Sequence, residues 1–461
     1  MNKKNVLLIF LAVLGTYFLI SLSISSAKFQ TLKSLFSEEN KQLIKEYIFP
    51  HIFISQQKIV ISKQKEKISK LPQLFTELEV MFKVSLRDIQ IKKEKDIKLS
   101  NNKILKKYNL INGFYLGIHE SQPGSGYIDF YQNNLIVLSS RGVLGFSKDI
   151  DSELNFKQIK NNINKFIGLK QFQKHKWFSL KDLFIYNNKI YISYTEEIKK
   201  DCWNTSIIYG NMNYKNIKFE KLFSNKECIH SSINIDNEFN AHQSGGRMIK
   251  FDENYILFSV GDYRNRFLAQ EKYGINGKII KININNFDYE IVSMGHRNPQ
   301  GLYFDKENNF ILETEHGPQG GDEINLIEVD KINKDEPLNY GWPVASAGEI
   351  SIHRYEMPEP SLLKKKLEKY PLYKSHSKYG FIEPLKSFVP SIGISNITKI
   401  TDNKYVVSSL RDKSLYFFEL NNDNKLINLE RFEILERIRD LIFKDNKLYL
   451  FLESTASIGV I

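Results

Sequence analysis

The sequence predicts an all-β chain folded as a six-bladed β-propeller, preceded by one hydrophobic helix and a short, partly helical extension. Three observations predict it. The 461 residues include 32 Phe and 24 Tyr beside abundant Ile and Asn; the first three favour strands and Asn favours turns. An apolar strand, a short Asn/Asp turn and a second apolar strand recur along the chain after residue 109. One long apolar run stands alone at the N-terminus.

That run, Val6 to Ile24 (VLLIFLAVLGTYFLISLSI), follows Lys3 and Lys4. At about 1.5 Å per residue it matches the hydrocarbon thickness of a bilayer. The positive flank is expected to stay in the cytoplasm and send the rest of the chain across. Ser25-Ser26-Ala27 offers a cleavage site, so residues 1–27 are a signal anchor or a removed signal peptide. Residues 28–108 read as a basic, partly helical linker with 18 Lys and Arg against 9 Asp and Glu. A solvated Lys-rich face or attraction to anionic lipid explains that excess. The formal net charge of +12 is therefore concentrated near the N-terminus. Residues 109–461 are nearly neutral, which argues against a nucleic-acid partner.

Export sets the expectation for Cys202 and Cys228, the two cysteines. In an oxidising compartment they are expected to form a disulfide rather than two buried thiols.

The repeats occupy residues 109–461. GYIDFYQNNLIVLSSRG turns at Asn133-Asn134 and SLKDLFIYNNKIYISYT at Asn187-Asn188. GGRMIKFDENYILFSVGD turns at Asp252-Glu253-Asn254, and PQGLYFDKENNFILETEHG at Asn308-Asn309. SNITKITDNKYVVSSLRD turns at Asp402-Asn403, and RIRDLIFKDNKLYLFLES at Asp445-Asn446. Hairpins recurring at this spacing, each with room for four strands, are the signature of propeller blades. A β-sandwich is the competing architecture, but six matched units exceed what one sandwich of this size normally carries. The long interval from 309 to 402 must hold an insertion.

Four loops gather chemistry. His242, in AHQSGGR before the third hairpin, and Asp262 after it are expected to be neighbours, the carboxylate orienting the imidazole. A structural histidine fits those residues about equally well. Arg297 and Asn298, in GHRNPQG, can address an anion or a carbonyl oxygen; His296 beside them reads as structural. The loop EHGPQGGDEIN (315–325) exposes carbonyls and carboxylates suited to Ca²⁺, or is a solvated turn. NYGWP (339–343) reads as a packing corner.

In this order AHQSGGRM (241–248), GHRNPQGL (295–302), EHGPQGGDEINLI (315–327) and NYGWP resemble the PQQ-dependent soluble glucose/sorbosone dehydrogenase family, which includes the aldose sugar dehydrogenases. The resemblance implies a six-bladed propeller with PQQ over its central mouth. It implies that His242 is the general base of hydride transfer from a sugar or related alcohol, supported by Asp262. Arg297 and Asn298 would lie beside the PQQ carbonyls. The backbone oxygens of Gly317 and Pro318 would hold Ca²⁺. Arg411 and Lys413, with Lys399 as a helper, would meet the PQQ carboxylates. The expected location is the periplasmic side of the inner membrane. Residues 161–180 (NNINKFIGLKQFQKHKWFSL) depart from the family's cofactor-contacting loop. That departure sustains a second reading: an exported, non-catalytic propeller that binds a glycan or a protein.

Overall fold

The computed structural model describes residues 58–62, 64–65, 88–99, 103–110, 114, 124–153, 155–174, 178–318, 320–333, 335–348 and 360–461. The chain divides into two compact units, Met1–Leu71 and Pro72–Ile461. In the first, the described residues are helical. The expected hydrophobic helix of residues 1–27 lies outside the described residues. Among those described, no helix is long and apolar enough to cross a membrane.

The second unit is almost entirely β and propeller-like. Its strands form four-stranded antiparallel meanders in chain order. Gly126–Tyr131, Asn134–Ser139, Leu144–Ser147 and Asn155–Gln158 make the first. Leu180–Tyr186, Lys189–Lys199, Cys202–Asn211 and Glu220–Phe223 follow. Next come Gly245–Lys250, Tyr255–Val260, Lys278–Asn283 and Tyr289–Met294, then Pro299–Asp305, Phe310–Glu315, Asp322–Glu328 and Lys386–Phe388. Ile394–Thr401, Lys404–Ser409, Ser414–Leu420 and Leu426–Glu433 form another. The last joins Ile438–Lys444, Lys447–Leu452 and Ser457–Val460 to Ile104–Leu110 from the N-terminal side.

Every hairpin anticipated from an Asn/Asp turn joins the first two strands of a meander. The turn chemistry explains why. Asn187 and Asn188 have φ of 49° and 57°, and Asp445 and Asn446 have 49° and 60°. Two successive positive φ values match the right-handed twist of the flanking strands, and Asn and Asp tolerate them.

The strands are buried on both faces, so their apolar residues serve two cores. In Lys189–Lys199, Ile190, Ile192 and Tyr194 pack towards the preceding meander, with Ile136, Leu138 and Leu183. Tyr191 packs towards the following one, with Met248, Ile256 and Phe258. Similar cores lie between the later neighbours, and Ile128 and Val137 meet Phe451 and Ile458 where the last meander faces the first. Each fully buried large apolar side chain contributes roughly 1.5–3 kcal/mol.

The first strands of the meanders stand side by side in a ring that closes on itself. Polar bonds tie it together. The Arg247 Nη1 donates to Asp182 at 2.6 Å and to Asp440 at 3.0 Å, and its Nε donates to the Gln300 carbonyl at 3.0 Å. Asp440 also accepts from the Ile128 amide and from Asn396 Nδ2. Asp182 accepts from the Met248 amide, and Asp129 from the Ile185 amide. Each bond crosses from one meander to another.

The N-terminal side departs from its expected form. The last part of the expected partly helical linker, from Ile89 on, is built of strands. Ile89–Lys93 pairs with Ile104–Leu110 on one edge and with Asn155–Gln158 on the other. The cause is a period-two pattern: Ile89 and Ile91 point inward while Gln90, Lys92 and Lys93 face solvent. The boundary at residue 108 therefore does not separate a linker from the sheet.

Cys202 and Cys228 form a disulfide with Cα atoms 5.3 Å apart and a sequence separation of 26. Cys202→Ser should lower the unfolding free energy by up to about 3 kcal/mol on loop-entropy grounds. Denaturant titration under non-reducing conditions measures it, and an unchanged midpoint would show that the bridge does not constrain the unfolded chain.

Candidate functional site

The site is assembled from loops at one end of the ring. Residues 240–246 enter the strand Gly245–Lys250, and residues 261–264 leave its partner. The two segments nearly touch: a Cβ on Gly261 would fall 2.3 Å from the Gln243 carbonyl oxygen, so only glycine fits. The Tyr263 amide donates to that same carbonyl at 2.9 Å.

This crossing brings Gln243 against Asp262. In the orientation that satisfies both ends of the carboxamide, Gln243 donates to Asp262 Oδ1 at 3.0 Å. Its oxygen then accepts from Arg297 Nη2 at 2.9 Å and from Arg264 Nε at 3.1 Å. Asp262 also accepts from Trp342 Nε1 at 2.8 Å and from the Arg264 amide at 2.8 Å. Burial pushes the Asp262 pKa up, against the opposing pull of Arg297.

His242 keeps partial solvent exposure at this mouth. Its ring centroid lies 6.2 Å from that of His316, edge to face. Desolvation holds its pKa well below the usual histidine value, and His316, Lys181, Arg439 and Arg297 add to the effect. The imidazole is therefore neutral at physiological pH and able to accept a proton.

Arg297 links the parts. Its Nη1 donates to the carbonyls of His316 at 2.8 Å and Gly317 at 2.6 Å. Its guanidinium lies 5.4 Å from the Trp342 ring centroid, and its amide donates to Glu315 at 2.5 Å. Burial lowers its pKa to about 10, with Asp262 opposing, so it stays charged. The Gly317 carbonyl expected to hold Ca²⁺ thus accepts from Arg297. The Pro318 carbonyl accepts from the Gly321 amide at 3.3 Å.

Other expected residues fall elsewhere. Asn298 is buried, and its Oδ1 accepts from the Gly245 amide at 3.2 Å and from Gln300 Nε2 at 3.0 Å. It therefore braces the loop. Arg411 and Lys413 have exposed side chains, and Arg411 lines a separate groove with Phe388 and Tyr416. Lys399 is bound to Asp305 at 2.9 Å and to Glu307 at 3.1 Å.

The cations that do gather are Arg264, Arg266, Arg297 and Lys366, which line one cavity with Trp342, Pro318 and Tyr370. Lys366 comes from helix α1 (Pro360–Lys369) in the long insertion, and sequence reasoning missed it because no local pattern marks it. Arg439 acts on both His242 and His316, placing the last meander's positive charge at the mouth.

A profile of the glucose/sorbosone dehydrogenase family matches residues 178–458. The chain belongs to that family. It is 29% identical over 227 residues to an uncharacterised protein of Synechocystis, covering 43% of this chain and 50% of that one. It is 25% identical over 263 residues to the aldose sugar dehydrogenase YliI of Escherichia coli, covering 52% and 63%. The chain thus spans between half and two thirds of these curated relatives. The PQQ-bound aldose sugar dehydrogenase of Streptomyces coelicolor superposes with a TM-score of 0.53 at 16% identity, covering 77% of this chain and 98% of that one. That likeness shows the shared fold.

The family is one of quinoprotein dehydrogenases, whose cofactor PQQ is a planar tricarboxylate quinone. The donor set fits: four cations and an indole surround one space. The room between them is only about 10 Å³, enough for one water and far below the roughly 300 Å³ of a small-ligand pocket. Lys366 and Tyr370 are part of its lining. Lys366 is bonded to Glu238, and Tyr370 to Asp236 at 2.8 Å.

Arg439 is itself held by Glu453 at 2.9 Å, with Arg437 at 2.8 Å on the same carboxylate. Burial pushes Glu453 up, but Arg439 and Arg437 outweigh it and bring its pKa to about 2, below the ordinary 4.5. A depressed folded-state pKa gives stability that is present above pH 4.5 and lost as pH falls towards 2. Glu453→Gln should flatten the acid limb of the stability–pH curve in that window. An unaltered limb would mean that the ion pair does not couple to folding.

Proposed function

We propose that this chain is a quinoprotein oxidoreductase that oxidises a sugar or related alcohol, and that its meanders are the blades of a six-bladed propeller with the reaction at one mouth. One observation carries the reading: His242, Arg297 and the His316–Pro318 carbonyls, from different meanders, converge with three further cations. PQQ would supply the hydride acceptor, and the Gly317 and Pro318 carbonyls are the residues that would hold a Ca²⁺ to assist it.

The chain's own residues do the rest. Arg264, Arg266, Arg297 and Lys366 attract and orient carboxylates. The His242 imidazole, kept neutral by burial and its positive neighbours, accepts the hydroxyl proton of the substrate. Asp262 is a positioning residue: through Gln243 and Trp342 it fixes where the Arg297 guanidinium points. Asn298 holds Gly245 and with it the approach of the His242 loop. We place the protein on the periplasmic side of the inner membrane, anchored by residues 6–24 or released after cleavage near residue 27. The flanking lysines and the disulfide support that location.

A second reading, a non-catalytic propeller that binds a glycan or a protein, is favoured by the narrow cavity under Lys366 and Tyr370. Reconstitution with PQQ and Ca²⁺, followed by dye reduction over an aldose panel, separates the two. The quinoprotein should gain activity and melting temperature with PQQ. Neither gain, together with glycan binding, would favour the scaffold.

His242→Ala should remove turnover and leave the melting temperature unchanged. Because the His242 pKa is depressed, its basic form persists as pH falls below 6.5. The acid limb of kcat/KM should therefore lie well under pH 6.5, and a limb at 6.5 or above would exclude His242 as the base.

A further inference from the structure

Beneath Arg297, on the inner side of its loop, lies a polar cluster that the proposed chemistry does not use. His296 precedes Arg297, Glu313 and Glu315 share the strand Phe310–Glu315, and Asn325 sits on the neighbouring Asp322–Glu328. All four are buried, His296, Glu313 and Asn325 completely and Glu315 to 2% exposure. His296 Nε2 is engaged by Ser293 Oγ at 2.8 Å, which turns Nδ1 towards the carboxylates. Nδ1 lies 3.4 Å from Glu315 Oε1 and 3.8 Å from Glu313 Oε2. The Asn325 amide lies 3.0 Å from Glu313 Oε2 and 3.3 Å from Glu315 Oε1.

Four atoms from three segments thus cluster, four of their separations being 3.0–3.8 Å, and the His296, Glu313 and Glu315 atoms all lie within 4.8 Å of one another. A tetrahedral ion with ligands at about 2.0–2.1 Å needs edges of about 3.3 Å. Two further facts point to a missing partner. Glu313 Oε1 and Asn325 Oδ1 are buried with no hydrogen-bond partner. Among the described contacts no Lys or Arg side chain is bonded to Glu313 or Glu315, although two buried carboxylates call for positive charge. Turning the Asn325 amide directs Oδ1 inward as a fourth donor.

We propose that His296, Glu313, Glu315 and Asn325 form a binding site for a divalent cation of the zinc class. The imidazole nitrogen selects against Ca²⁺ and Mg²⁺, which take oxygen ligands. Two carboxylates balance a charge of +2. The site is distinct from the Gly317 and Pro318 carbonyls and does not rest on the dehydrogenase reading. Its consequence is positional, because Glu315 Oε2 accepts the Arg297 amide proton while Oε1 faces the ion.

The test uses the full chain, stripped with a chelator and then titrated with Zn²⁺ or Co²⁺. One equivalent should bind, the melting temperature should rise, and Co²⁺ should give the visible absorption of a four-coordinate N/O site. Glu313→Gln preserves shape and removes one charge. It should fold at least as stably without metal, lose more than about 100-fold in Zn²⁺ affinity and show no melting-temperature rise. Absence of stoichiometric binding, or equal Zn²⁺ affinity in wild type and Glu313→Gln, would overturn the site. Equal stabilisation by Ca²⁺ in both proteins would likewise assign the effect to other oxygen ligands.

Discussion

The ring of strands depends on one buried guanidinium held between two carboxylates. Arg247 is 8% exposed, and Asp182 and Asp440 are at most 1% exposed. Removing such groups from water costs several kcal/mol per ion, and only good geometry with additional hydrogen bonds offsets it. Here the additional bonds exist, and they are the ones that join meanders: the Met248 and Ile128 amides, Asn396 and the Gln300 carbonyl. A hydrophobic plug of equal volume could fill the axis, but it could not set the angular position of each strand. The polar centre specifies the register of the ring, while the cores between meanders supply most of the stabilisation.

That fixed ring makes the mouth a meeting place. The loops rise from strands whose positions are set, so side chains distant in sequence come within bonding distance. Arg297 illustrates it: it reaches back to Gln243 and forward to the His316 and Gly317 carbonyls. Its charge is shared among backbone, carboxamide and indole instead of being spent on a single counter-ion. Burial first, and then the positive groups near it, push the His242 pKa down, and Arg297 takes part both in that effect and in the cluster of cations that can attract an anion.

What could be read in the sequence follows the range of the interactions. The hairpins were legible because Asn and Asp at positive φ are a local requirement, visible at Asn187-Asn188 and Asp445-Asn446 without any partner. The strand Ile89–Lys93 was not, since its Lys-rich outer face hides two inward isoleucines, and one of its two partner strands, Asn155–Gln158, lies 65 residues or more away. At the site, His242 and Arg297 stood out within glycine-bearing motifs. Arg264, Arg266 and Lys366 did not, because nothing near them in sequence signals an anion site; only the insertion that carries α1 brings Lys366 there. Arg411 and Lys413 are exposed, and a basic turn looks the same in sequence whether or not it receives an anion.

The pairing of Tyr108 with Ile458 and of Lys106 with Val460 has a kinetic consequence. These partners are separated by about three quarters of the chain, and closing so long a loop precedes any contact that rewards it. During synthesis the early strand must wait, its edge unprotected, until the final one emerges. The completed circle therefore forms late and as a single event, and the period before it is when an unpaired edge is most open to association with another chain.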